Sequence, residues 1–136
     1  MKLILLTLLF LSPPKDELVG NWISSSNDLI VQCYEKNNLY FAKIIWFDNQ
    51  HPKINKFSEN GLPKDKWLGY IVMSDFTQVD GRYQGTIFDI KNGETYDAII
   101  KQRGDELTVT GYILIPLLGK DITFKRYVKS TLPKQN

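Results

Sequence analysis

A chain of 136 residues with a formal net charge of +2 is too short for two ordinary domains, and too evenly charged to carry an electrostatic footprint for nucleic acid. Its 43% hydrophobic content excludes a wholly disordered polymer, and its 12% aromatic content favours pleated, half-buried surfaces over helix. The 17 basic residues are scattered, which argues against a polybasic membrane patch.

Met1-Lys2 precedes an apolar stretch from Leu3 to Leu11 that only Thr7 interrupts, and Ser12 and two prolines follow. One positive charge and a short greasy run predict a secretory signal peptide over residues 1–12 and an exported (periplasmic or secreted) mature chain. The run is too short to span a bilayer, which needs about 20 apolar residues. Small residues of the Ala-x-Ala kind are missing and Pro13 follows Ser12, so no cleavage site is marked.

From residue 19 to 128 the pattern is one of short apolar and aromatic runs separated by turn chemistry. Val19–Ser25, Asp28–Lys36 and Leu39–Phe47 read as strands, the last two joined by a hairpin at Asn37-Asn38, because Asn tolerates the positive φ of a tight turn. The consecutive Ile44, Ile45, Trp46 and Phe47 give no single helical face and are β-branched or aromatic, so strand is favoured. Asp48–Lys66 holds Pro52, Gly61 and Pro63 and reads as a loop longer than a routine connection needs, the kind that serves as a lid or binding loop.

Trp67–Phe76 resumes the strand pattern, with Gly69 expected at a bulge or a close approach. Tyr83–Ile90, Glu94–Gln102, Leu107–Leu114 and Lys120–Val128 follow, divided by Lys91-Asn92-Gly93, Arg103-Gly104-Asp105 and Leu117-Leu118-Gly119; Pro116 marks a strand end or bend. The polar tail at 129–136 is expected to fray. Eight strands without a helical crossover predict an all-β, antiparallel up-and-down β-barrel, since closure removes the edges that a flat meander leaves exposed. A barrel of this size is either filled by side chains or holds one small ligand. Cys33, the single cysteine, cannot form an internal disulfide and reads as a buried filler or, alternatively, as one half of an intermolecular disulfide.

Gly20-Asn21-Trp22, Ile44-Ile45-Trp46, the run Asp89-Ile90-Lys91-Asn92-Gly93-Glu94-Thr95-Tyr96, Gly111-Tyr112, Pro116 to Lys120 and Phe124-Lys125-Arg126 occur in a recognisable order. The series resembles the domain of unknown function 2147 family, small exported bacterial proteins with a lipocalin-like barrel and no established activity. The chain departs from the family's usual pattern at Ile90, where Pro is common, at Lys120, where Arg is preferred, and at Phe124, where Trp is preferred. Some members carry paired cysteines in the central loop; the stretch from His51 to Asn60 has none, so no role tied to them is inherited. The resemblance also implies that Trp22 plugs one end of the barrel and that Arg126, from the last strand, packs over its ring. A guanidinium over an indole is favourable by about 0.5–2 kcal/mol.

Among residues able to carry chemistry, Asp89 precedes the Asn92-Gly93 turn and reads as an Asx-type cap or, alternatively, as an acceptor at the barrel mouth beside Glu94, Tyr96 and Asp97. Tyr34, Tyr40, Trp46, Trp67 and Tyr96 are candidates either to line an apolar pocket or to fill the core. His51, a lone loop histidine, reads as solvated. The sequence holds no nucleophile elbow, no paired-histidine zinc motif and no phosphate-cradling glycine loop, and no cofactor or metal is expected. The expected function is that of a barrel taking a small apolar or amphipathic ligand or an envelope component, with Tyr34, Trp46, Trp67, Asp89 and Tyr96 as candidate contacts. A filled barrel serving as a structural or interaction module is the alternative, and a hydrolase or lyase using Asp89 and neighbouring tyrosines is a third.

Overall fold

The computed structural model describes residues 18–52, 59–112 and 120–136. The expected leader, loop residues 53–58, the bend at Pro116 and the Leu117-Leu118-Gly119 turn lie outside them. The strands are β1 (Gly20–Ser24), β2 (Leu29–Lys36), β3 (Leu39–Phe47), β4 (Ile71–Val79), β5 (Arg82–Asp89), β6 (Glu94–Arg103), β7 (Glu106–Tyr112) and β8 (Lys120–Arg126). Each pairs antiparallel with its sequence neighbour, and β1 also pairs with β8, so the sheet closes as an up-and-down barrel. The closing seam is short: Trp22, Ile23 and Ser24 stand opposite Arg126, Lys125 and Phe124.

Turn residues fix the register. Asn37 and Asn38 both take positive φ, 54° and 67°, the primed-turn geometry whose twist matches the flanking strands. A second tight hairpin, Asp80-Gly81 with φ of 50° and 80°, joins β4 to β5. It carries β4 on to Val79, so the strand expected at Trp67–Phe76 runs instead from Ile71 to Val79. Its expected first residues form a turn, in which Trp67 N–H donates to Lys64 O (3.1 Å) and Tyr70 N–H to Trp67 O (3.0 Å). Gly69 sits in this turn at φ +84° and donates its N–H to Ile44 O (2.7 Å) while Ile44 N–H donates to Tyr70 O (3.0 Å), so two residues face one in the expected bulge, with open space where a Cβ would stand.

A β-bulge explains the four consecutive apolar residues of β3. Ile30 pairs with Trp46 and Val31 with Ile44, which leaves Ile45 as an extra residue and resets the alternation. Ile44 and Phe47 therefore both join the barrel core, along with Val31, Ala42, Leu107 and Phe124. Ile30 and Trp46 are buried but stand apart from that core, on the outer wall. Trp46 is covered by the C-terminal tail: its Nε1 donates to Lys134 O (3.2 Å), and the Gln135 side chain bonds both the N–H and the C=O of Phe47 (3.2 and 2.7 Å). The tail expected to fray is thus docked, because a bulged strand presents an aromatic ring and unpaired backbone groups for it to cover.

Candidate functional site

The two ends of the barrel are built differently. At the end holding the β2–β3, β4–β5 and β6–β7 hairpins, Trp22 is fully buried and donates its indole N–H to Leu18 O (3.0 Å). The Arg126 guanidinium lies 4.2 Å from the centre of the Trp22 ring, donates from Nε to Asp105 Oδ1 (3.0 Å) and from Nη1 to Val19 O (3.3 Å). One cation thereby stacks on the plug and ties the start of the barrel to the β6–β7 turn. Cys33, opposite Gly20 and Ala42, is buried among these residues; burial pushes its thiol up to about 12 against the smaller opposing pull of Arg126.

The other end opens into a cavity of about 490 Å³. Its floor is apolar, formed by Val31, Met73, Ile87, Val109, Ile122 and Phe124. Ile122 pairs with the fully buried Val109 and so points inward, yet it is 46% exposed, because it looks into this space. The rim is polar and comes from two strand ends and the turns that follow them: Ser24 at the end of β1 with Ser26 and Asp28, and Asp89 at the end of β5 with Lys91 and Asn92, with Tyr96 beside them.

Asp28 is the most elaborated polar group of the rim and is only 7% exposed. Its Oδ1 accepts hydrogen bonds from the Ser24 and Ser26 hydroxyls, while Ser24 Oγ in turn accepts from the Asp28 and Leu29 amides (both 3.1 Å). Asp28 Oδ2 faces His51 Nδ1 at 4.0 Å. Burial raises the Asp28 carboxyl, but the two hydroxyls, its own amide and His51 outweigh it and hold the group below its ordinary range. His51, expected to be solvated, is instead three-quarters buried, drawn in by the bond from Asp48 N–H to Asp28 O (2.9 Å) that brings the loop against the β1–β2 turn.

Further along the same loop, Leu62 N–H donates to Ile90 O (2.8 Å), and Trp67 Nε1 to Leu62 O (2.7 Å). A Cβ on Gly93 would collide with the Asn60 carbonyl, and one on Gly61 would sit 2.6 Å from the Lys91 carbonyl, so this packing of loop on turn needs glycine on both sides. Lys64 Nζ donates to Asn49 Oδ1 (2.8 Å), tying the two described arms of the loop together. The described part of Asp48–Lys66 therefore borders the cavity mouth.

Of the residues singled out in the sequence, Asp89 and Tyr96 line the cavity. Asp89 Oδ1 accepts from the Lys91 amide (2.8 Å), the Asx-type cap, and Tyr96 Oη accepts from Asn92 Nδ2 (2.8 Å). The other three do not line it. Tyr34 stacks on Phe41 with ring centres 5.7 Å apart, on the outer wall, because its neighbour Cys33 points inward. Trp46 lies under the tail. Trp67 is fully buried against Phe47, ring centres 4.9 Å apart, as the anchor of the loop. Asp28, Ser24 and Ser26 were not singled out; the signal for them was a polar Ser-x-Ser-x-Asp run directly after an apolar strand, where hydroxyls can close on a carboxylate.

Among the described residues no helix is long and apolar enough to cross a membrane. A family model described as "Uncharacterized protein conserved in bacteria (DUF2147)" matches residues 20–126. None of the curated proteins matches the chain. Among solved structures, that of protein HP1028 from Helicobacter pylori, described as belonging to the lipocalin family, is similar with a TM-score of 0.60 and 22% sequence identity, over 82% of this chain and 83% of that one. At that identity the likeness concerns the fold.

Proposed function

The chain belongs to the DUF2147 family of conserved bacterial proteins, and from that premise and its half-open barrel we infer that it is a binding protein that takes a small, partly apolar molecule or envelope component into its interior. The observation that carries this reading is the 490 Å³ cavity with an apolar floor and a polar rim, of the size and make-up that small-molecule sites have. A barrel filled for structural purposes has no use for an unfilled apolar floor, since each unfilled methyl-sized void costs about 1 kcal/mol. The lipocalin-like fold is compatible with the same reading. The Ser24 and Ser26 hydroxyls donate to the Asp28 carboxylate, which is held below its ordinary range and is thus a weaker base than a free carboxylate.

Export is part of the proposal and rests on the Met1–Leu11 pattern. It is checked by N-terminal sequencing of protein recovered from the cell envelope or medium: a start beyond the apolar run supports it, and an intact Met1-Lys2 start contradicts it. Native mass spectrometry of protein purified from its source tests the binding role. A co-purifying small molecule is expected; repeatedly empty protein carrying a partner chain instead contradicts it.

A further inference from the structure

We propose that the molecule this barrel holds carries a cationic or hydrogen-bond-donating head group, received by Asp28 at the rim while the apolar part lies on the floor. This rests on the carrier reading and narrows it to a ligand class. The cavity is polarised along the barrel axis: Val31, Val109 and Phe124 lie deep in it, and among the described residues every charged lining side chain lies in or beside the two turns at its mouth. A ligand satisfied by such a space is an amphiphile with its polar end at the rim.

The chemistry of the rim decides which polar end. Of the three charged side chains that line it among the described residues, two are carboxylates, Asp28 and Asp89, and one is Lys91. Asp89 already spends Oδ1 on the Lys91 amide. Asp28 receives both of its hydroxyl bonds on Oδ1, and Oδ2 lies 4.0 Å from His51 Nδ1, longer than a hydrogen bond. An ionised carboxylate is an acceptor with about four lone-pair sites and no donor, so Oδ2 keeps capacity that only a donor can use. The same hydroxyls help hold its carboxyl below the ordinary carboxylate range, so the group is ionised at neutral pH. In a site this shielded from water, an anionic head would meet a like charge at close range and a cation an opposite one.

Three ten-carbon probes separate the head groups: n-decylamine, n-decanol and sodium decanoate, each titrated calorimetrically into the full chain at neutral pH. The amine is expected to bind at least tenfold more tightly than decanoate, with decanol between them. Asp28→Asn is expected to shrink the preference for amine over alcohol at least fivefold. Because Asp28 also fastens the β1–β2 turn, the variant's fold is checked by circular dichroism, and the ranking on the unaltered protein tests the inference without it. Decanoate binding as tightly as the amine, through Lys91, overturns the head-group inference and leaves the carrier reading intact. If none of the three binds, both fall.

Discussion

The plugged end and the open end of this barrel share the same eight strands yet resolve the same packing problem in opposite ways. At the plugged end, a fully buried indole is bonded to the Leu18 carbonyl and capped by a guanidinium whose remaining donors reach two further partners. At the open end, inward-facing Ile122 is left 46% exposed, and the polar groups gather in and beside turns. The difference teaches where stability and function reside. Dense packing and satisfied donors stabilise one end, and the apolar surface left open at the other is an unrealised stabilisation that a ligand can supply.

Substitution at each end sharpens that contrast. The largest effect is expected from Trp22→Ala, which removes the plug and leaves a cavity: a loss of about 3–5 kcal/mol, seen as a fall in Tm of more than about 10 °C by scanning calorimetry. An unchanged melting curve would rule the plug out. Removing residues 130–136 uncovers Trp46 and frees the Phe47 backbone, for a loss of about 1–2 kcal/mol, accompanied by a red shift of tryptophan emission; no shift would mean that Trp46 is shielded by something other than the tail.

The smallest effect belongs to the rim and depends on pH. The Asp28 carboxyl lies below its unfolded value in the folded chain, so its contribution is complete at neutral pH and is lost as pH falls below about 4 through the folded pKa. Urea midpoints should therefore decline more steeply with acid in the unaltered protein than in Asp28→Asn. Asp48 is also held low, by amides of Asn136 and Gln50, but it is present in both proteins, so the difference isolates Asp28. Parallel acid limbs would contradict the assignment.

Much of the barrel was legible in the sequence because turn chemistry is local. Asn37-Asn38 and Gly93 announce positive φ by residue type, and the strands between them follow from β-branched and aromatic runs. What was not legible depends on register and on distant partners. One bulged residue, Ile45, turns Trp46 from a pocket candidate into an outer-wall residue, and no local feature marks it. Tyr34 follows from the parity of Cys33, which only the pairing fixes. The docking of Lys134 and Gln135 on β3 joins groups 88 residues apart, beyond any periodicity. The burial of Asp28 is not local either, since it arises only once the Asp48 amide brings the loop against it.

Titration with the neutral fluorescent probe N-phenyl-1-naphthylamine tests most directly whether the open end is a receptive apolar space. Saturable one-to-one binding is expected in the full chain and in Tyr34→Ala on the outer wall, and it should be abolished in Val109→Trp, which fills the floor. Binding that survives Val109→Trp, or that disappears with Tyr34→Ala, would place the apolar surface outside the barrel and contradict an enclosed site.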